Sequence, residues 1–202
     1  MRARFYLTIF FAARATLMLY AFDAAQDQVR AKELYYQGVD GDKAATKEST
    51  RLLEALAAQK PEDAVTAAYL ASNRLLESGR TFALWNKNRL AKEGIGGLDR
   101  AVSMAPGNVE VRFIRAVSTW DLPSFFRRQQ QSEDDLAWLA SRVRPAAEAG
   151  RLERELAATA LYYHGLALER RGDKTAATTV WKTTVDFSPS TKAGMAAASK
   201  LR

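Results

Sequence analysis

Apolar residues recur at three- and four-residue spacing through most of the chain, the period of a helix with one buried face. The stripe is clear in Leu52 to Ala58, Leu98 to Met104 and Val180 to Phe187, and a proline follows each closely: Pro61, Pro106 and Pro189. Proline has no amide hydrogen to give and pushes the residue before it out of the helical region, so each marks a stop. Pro145 joins the series, and the four lie 45, 39 and 44 residues apart. This punctuation predicts about four similar units, more than half helix and essentially without strand.

Capping residues locate the helices between the stops. Asp42 is placed to cap a helix through Thr46, Ser49, Leu53 and Leu56, and Asp63 one that carries Ala67, Leu70 and Ala71, runs to Ser78 and ends at Gly79. The partner of that second helix is expected around Gly97 to Met104, after an insertion from Arg80 to Glu93. Asn108 opens a helix holding Val111, Ile114, Ala116 and Val117. A loop from Leu122 to Arg128 interrupts before the next helix, which begins at Ser132, where Ser132 and Asp135 form a capping box ahead of Leu136 and Leu139.

The last unit, from Ala158 to Pro189, is the most regular. Counted from Ala158, Leu161 is fourth, Gly165 eighth, Leu168 eleventh, Ala177 twentieth, Trp181 twenty-fourth and Pro189 thirty-second. Gly165 lets a second helix come close, Ala177 is the small residue expected to meet it, and Gly172-Asp173 makes the turn and the cap. In these positions the unit resembles the tetratricopeptide repeat (TPR). The likeness extends in degenerate form over roughly residues 30 to 190, and the Leu122 to Phe126 loop with the Gly97 to Val102 stretch is similar to bacterial repeat proteins of unassigned function. What the resemblance implies is an all-α fold of TPR-like antiparallel helix pairs, wound as a short right-handed superhelix of about four degenerate units.

Composition narrows the chemistry. The chain has no cysteine and one histidine, His164, which removes disulfides, thiolate nucleophiles, iron–sulfur sites, the usual zinc sites and most general-base arrangements. No catalytic residue, metal or cofactor is therefore expected, and the chain reads as a non-enzyme. Its formal charge is +7, falling to +5 without the first 25 residues. A mildly basic scaffold accounts for that excess, and nucleic acid is not the favoured partner.

The first 25 residues stand apart. Arg2 and Arg4 precede an apolar run from Phe5 to Ala13, then Arg14, then Ala15 to Phe22, and the polar Gln26-Asp27-Gln28 follows. This outline predicts an export signal or an uncleaved anchor over 1–25 and a helical repeat domain over 26–202, placing the protein in the periplasm or outside the cell. Arg14 splits the apolar segment, and a start at Met18 would leave the protein cytoplasmic. Contact with a membrane is expected only through this segment, where it is uncleaved.

Four further constellations have plain structural readings. Gly94-Ile-Gly-Gly97 lacks the strand and lysine of a phosphate loop and reads as close helix packing. His164 is expected to be a hydrogen-bonded packing residue, and Glu133-Asp134-Asp135 to sit in the first turn of a helix at the positive end of its dipole. Arg127 and Arg128 follow Phe125 and Phe126 in a loop expected to clamp its own phenylalanines into the core.

The TPR resemblance also implies a concave face from alternate helices. Its positions here are Val65, Ala68, Ser72, Leu75 and Leu76, then Glu110, Phe113, Val117, Trp120 and Asp121, then Thr159, Tyr162, Leu166, Glu169 and Arg170. Phe113, Trp120, Tyr162, Glu169 and Arg170 are the candidate partner-binding residues. The lysine and asparagine that clamp a C-terminal carboxylate in some members are absent, because those positions hold Ala68 and Ser72, Phe113 and Val117, Tyr162 and Leu166. The function expected is a protein-interaction scaffold of the bacterial cell envelope that binds a peptide or protein partner in this groove. The alternative is an anionic-ligand or nucleic-acid binder using Arg112, Arg115, Arg127 and Arg128.

Overall fold

Four of the expected helix starts are fixed by short polar side chains that accept amides with no partner inside the helix. Asp42 accepts from Ala44 and Ala45, Asp63 from Val65, Asn108 from Glu110 and Val111, and Asp173 from Ala176. The computed structural model describes residues 24–202, which form ten helices. These are α1 (24–39), α2 (Lys43–Gln59), α3 (Ala64–Arg80), α4 (Leu84–Met104), α5 (Val109–Thr119), α6 (Gln129–Ala140), α7 (Val143–Glu148), α8 (Arg154–Arg170), α9 (Lys174–Phe187) and α10 (Lys192–Lys200), with one 3-10 turn at Ser124–Phe126. Among the described residues 80% are helical and none is in a strand. None of these helices is long and apolar enough to cross a membrane. Of the export or anchor segment read in 1–25, residues 1–23 lie outside the described residues.

The helices pack as consecutive hairpins. α3 lies on α4, α5 on α6 and α8 on α9, and the hairpins stack because α2 meets α3, α4 meets α5, α6 meets α8, and α3, α5 and α8 meet in turn. The sequence pattern left α10 unread; Thr191 caps it by accepting from Gly194, and it closes the stack against α8 and α9. One continuous core runs through the hairpins, with Leu53, Tyr69, Leu98, Ile114, Leu136 and Leu161 buried in it. A smaller cluster, Ala177, Trp181 and Ala197, joins α9 to α10.

Glycine sets the closest approaches. A methyl group added at Gly97 would lie 2.6 Å from the Cβ of Ala71, and one at Gly94 2.8 Å from the Ala71 carbonyl oxygen, so the glycine run is where α4 presses on α3. Gly165 faces the indole of Trp181 instead of Ala177, with an added carbon only 2.2 Å from Nε1.

Three boundaries differ from the sequence pattern. The expected insertion from Arg80 to Glu93 is a short turn followed by helix: α4 is 21 residues long and starts at Leu84, after Ala83, which has no side chain to cap it. Leu90, Ala91, Gly94, Leu98 and Ala101 form one continuous buried stripe along it. Pro145 sits in the first turn of α7, where its missing amide hydrogen forfeits no bond, so it begins a helix instead of ending one. The capping box is absent: α6 starts at Gln129, and Ser132 and Asp135 are inside it with buried side chains. Ser132 Oγ bonds Thr119 Oγ1 at 2.8 Å, and Asp135 is claimed by arginines of α5.

Candidate functional site

One helix of each hairpin faces a common groove, and hydroxyl groups along and beside it tie these helices together. Tyr35 of α1 bonds Ser72 of α3 at 2.8 Å, and Ser72 bonds Ser118 of α5 at 2.7 Å. Beside them the Tyr36 and Tyr69 hydroxyls meet at 2.9 Å, while Tyr69 and Lys32 both donate to Glu110 Oε1, at 2.8 and 2.7 Å. The three tyrosine rings pack edge to face. Burial pushes all three phenols well above their ordinary pKa, so they act as fixed hydroxyl groups that hold helix spacing.

The groove measures about 740 Å³ and draws on α1, α3, α5, α8 and α10. Leu75, Leu76, Phe113, Val117 and Leu156 give it an apolar floor, and Tyr35, Tyr36 and Tyr163 an aromatic wall. Its rim carries Asp40, Asp121, Glu153 and Glu155 against one cation, Lys192. Lys192 pairs with Asp40 at 3.3 Å, joining the end of α1 to the start of α10, but both are exposed and such a pair adds little stability. Asp121, Glu153 and Glu155 have no ion-pair partner among the described residues. The groove is therefore locally acidic in a chain that is basic as a whole.

Phe113 is the one of the five candidate binding residues that lines this groove, together with Ser72, Leu75, Leu76, Val117, Asp121 and Thr159 of the wider predicted face. Trp120 is buried, with the Tyr163 ring edge-on to it and the Arg170 guanidinium 3.9 Å above it. The Tyr162 carbonyl accepts from Trp181 Nε1 at 3.3 Å, and Glu169 accepts from Lys200 at 2.6 Å. These two residues face α9 and α10. On α8 the groove row is Leu156, Thr159 and Tyr163, three residues of one helical face. Tyr35, Tyr36 and Lys192 are groove residues the sequence pattern did not single out; the adjacent tyrosines beside Ala31 and Leu34 were the available signal.

The arginines of the anionic-ligand alternative do not converge on open solvent. Arg115 grips Asp135 with two bonds, Nε at 2.7 Å and Nη2 at 2.9 Å, and Arg112 adds a third at 2.7 Å. Arg115 also reaches Asp99, which Arg128 bonds too. Burial opposes the Asp99 charge, yet the bonds from Arg128 and Gln131 and the nearby Arg115 outweigh it and hold its carboxyl below the ordinary range. Three of the four guanidinium groups are thus engaged by carboxylates. Arg127 is exposed and in the left-handed region, at φ 55°. The loop before it does not clamp both phenylalanines: Phe126 packs on the core, whereas Phe125 is exposed.

Glu133 and Asp135 also depart from the first-turn reading. Glu133 is buried and accepts from Arg171 at 2.6 Å. Long-range arginines have taken both carboxylates from the helix terminus, and no group of three potential ligands among the described residues is placed to hold a metal.

His164 is half-buried, and its Nδ1 has no hydrogen-bond partner, unlike the bonded packing residue expected. Burial first, then the Arg171 charge, pulls its pKa below the ordinary value. The unfolded chain thus takes up a proton below about pH 6.5 that the folded chain resists, so stability present at pH 7 falls as pH drops through that range. Because this is the chain's one histidine, His164→Gln should flatten the decline. Urea melts of both proteins at pH 7 and pH 5 check this, and parallel losses would refute it.

Compared with family models, with characterised proteins and with solved structures, the chain matches none.

Proposed function

We propose that this chain is a non-enzymatic interaction scaffold, a short right-handed array of TPR-like helix pairs whose groove holds a segment of another protein. The carrying observation is the groove itself: an apolar floor and aromatic wall contributed by alternate helices, ringed by three carboxylates without ionic partners. The stacking order of the hairpins supports the repeat reading. A volume of this size takes a few side chains, which suits an extended or helical segment and not a whole domain. Charge complementarity selects a segment carrying lysine or arginine beside apolar anchors. Arg2, Arg4 and the apolar run after them support a place for the scaffold in the bacterial cell envelope, by export or anchoring.

A photo-cross-linking residue at Val117, on the floor, tests this in the native host, with the same residue at exposed Lys47 on α2 as control. A discrete protein adduct is expected from position 117 alone, mapping to a segment rich in Lys or Arg. Its yield should fall several-fold in Glu153→Lys/Glu155→Lys. That change spares folding in one respect already visible, since the Glu153 side chain makes no capping bond. Equal adducts from both positions, or a yield indifferent to the charge reversal, would sink the reading.

A further inference from the structure

The turn from α3 into α4 holds the three most exposed large apolar side chains among the described residues: Phe82 is 98% exposed, Trp85 76% and Leu84 72%. They are nearly consecutive, and nothing among the described residues covers them. The turn is nonetheless ordered by its neighbours, because Ser78 Oγ donates to the Lys87 carbonyl at 2.9 Å and Arg80 bonds Thr46 and the Gly38 carbonyl. An added carbon at Gly79, in the last turn of α3, would meet no neighbouring atom within 4 Å, so the end of α3 is uncrowded on that side. Single exposed apolar residues are common on protein surfaces, whereas a contiguous aromatic knob marks a contact site.

Its surroundings are cationic. From Arg80 to Lys92 the chain has no Asp or Glu, and Lys87, Arg89 and Lys92 are exposed one to two helical turns beyond the knob. Arg89 has a weak surface partner in Glu93 at 2.7 Å. Trp and Phe with Leu at an exposed turn, and lysine or arginine just behind, is the arrangement that the bilayer interface favours: amphipathic rings at headgroup depth, cations at the phosphates. A second copy of this chain would bring an identical cationic flank against the first, which argues against self-association through the knob.

We infer that this turn is a membrane-contact site, in which Phe82, Leu84 and Trp85 enter the interface of an anionic bilayer while Lys87, Arg89 and Lys92 meet lipid phosphates. The site lies outside residues 1–25 of the sequence and does not depend on the groove reading. Trp85 is its own reporter, because it is the exposed one of the four tryptophans: Trp120 and Trp181 are buried and Trp138 half-buried.

The full-length chain is titrated with phosphatidylcholine vesicles made with and without phosphatidylglycerol, each also prepared with acyl chains brominated as a fluorescence quencher. With anionic vesicles the emission should shift to the blue and be quenched by the brominated lipid. Trp85→Phe should lose both signals while its co-flotation persists, and Lys87→Glu/Arg89→Glu/Lys92→Glu should lose them with Trp85 in place. Equal quenching of wild type and Trp85→Phe would overturn the inference, even where residues 1–25 carry the protein to the vesicle. So would signals of equal size on neutral vesicles, or a Trp85 blue shift that tracks protein concentration without lipid, the mark of self-association.

Discussion

Asp135→Ala should lower the stability of the fold by about 3–5 kcal/mol, the usual cost of stranding the partner of a buried ion pair. Asp135 is 1% exposed, and its carboxylate accepts three guanidinium bonds from α5. Removing it leaves Arg115, itself buried, with Asp99 alone at 3.2 Å. Arg112 fares better, because it still stacks on Trp138 and donates to the Pro106 carbonyl. The loss measures an uncompensated cation and not a net gain from the ion cluster, which an apolar core of equal volume could match. Asp135→Asn, which keeps an acceptor but not the charge, should fall between. Asp99→Ala should cost less than Asp135→Ala, since Asp99 is partly exposed. The Asp99 contribution has a defined pH window: its folded pKa is depressed, so the contribution is present above the ordinary carboxylate range and is lost as pH falls through the depressed value. Urea melts at pH 7 decide, and a loss below about 1 kcal/mol for Asp135→Ala would mean that water reaches Arg115.

Local chemistry was legible in the sequence, and long-range competition was not. Asp42, Asp63, Asn108 and Asp173 act within three residues of themselves, so a pattern of that length finds them. Ser132 with Asp135 has the same local form, but two arginines three residues apart on α5 outbid the helix terminus for the carboxylate. Their spacing, which puts both on one face of α5, was the missed signal. α4 hid its start because Ala83 offers no cap, and the unpatterned Phe82 to Asn88 segment resembled an insertion. The groove was legible on α3 and α5, where repeat positions carry over to Ser72, Leu75, Phe113 and Val117. On α8 the carry-over holds at Thr159 and fails beyond it. α10 packs against that helix, so Tyr162 and Glu169 serve the closing contact and Tyr163 takes the groove.

That closing contact supports the second large effect. Trp181→Ala should cost about 3–5 kcal/mol, the range for emptying a buried aromatic site. Trp181 is buried with Ala177 and Ala197, its ring nitrogen donates to Tyr162 of α8, and Lys200 of α10 lies 5.1 Å from the ring centre. One side chain thus joins the last three packed helices. Gly165 is the reciprocal feature, because its missing side chain is the space the indole occupies. Two opposing effects set the outcome of Gly165→Ala. Alanine gains about 1 kcal/mol in helix propensity, and forcing a carbon against a rigid ring costs about 1–3 kcal/mol. The ring wins in the wild-type background, because the added carbon would lie within 2.8 Å of three indole atoms. In the Trp181→Ala background the obstacle is gone and only the propensity gain is left, so Gly165→Ala should reverse sign and become stabilising. The four proteins form a double-mutant cycle, and their denaturant melts give the coupling directly. A coupling near zero would show that Gly165 is present for some reason other than the tryptophan.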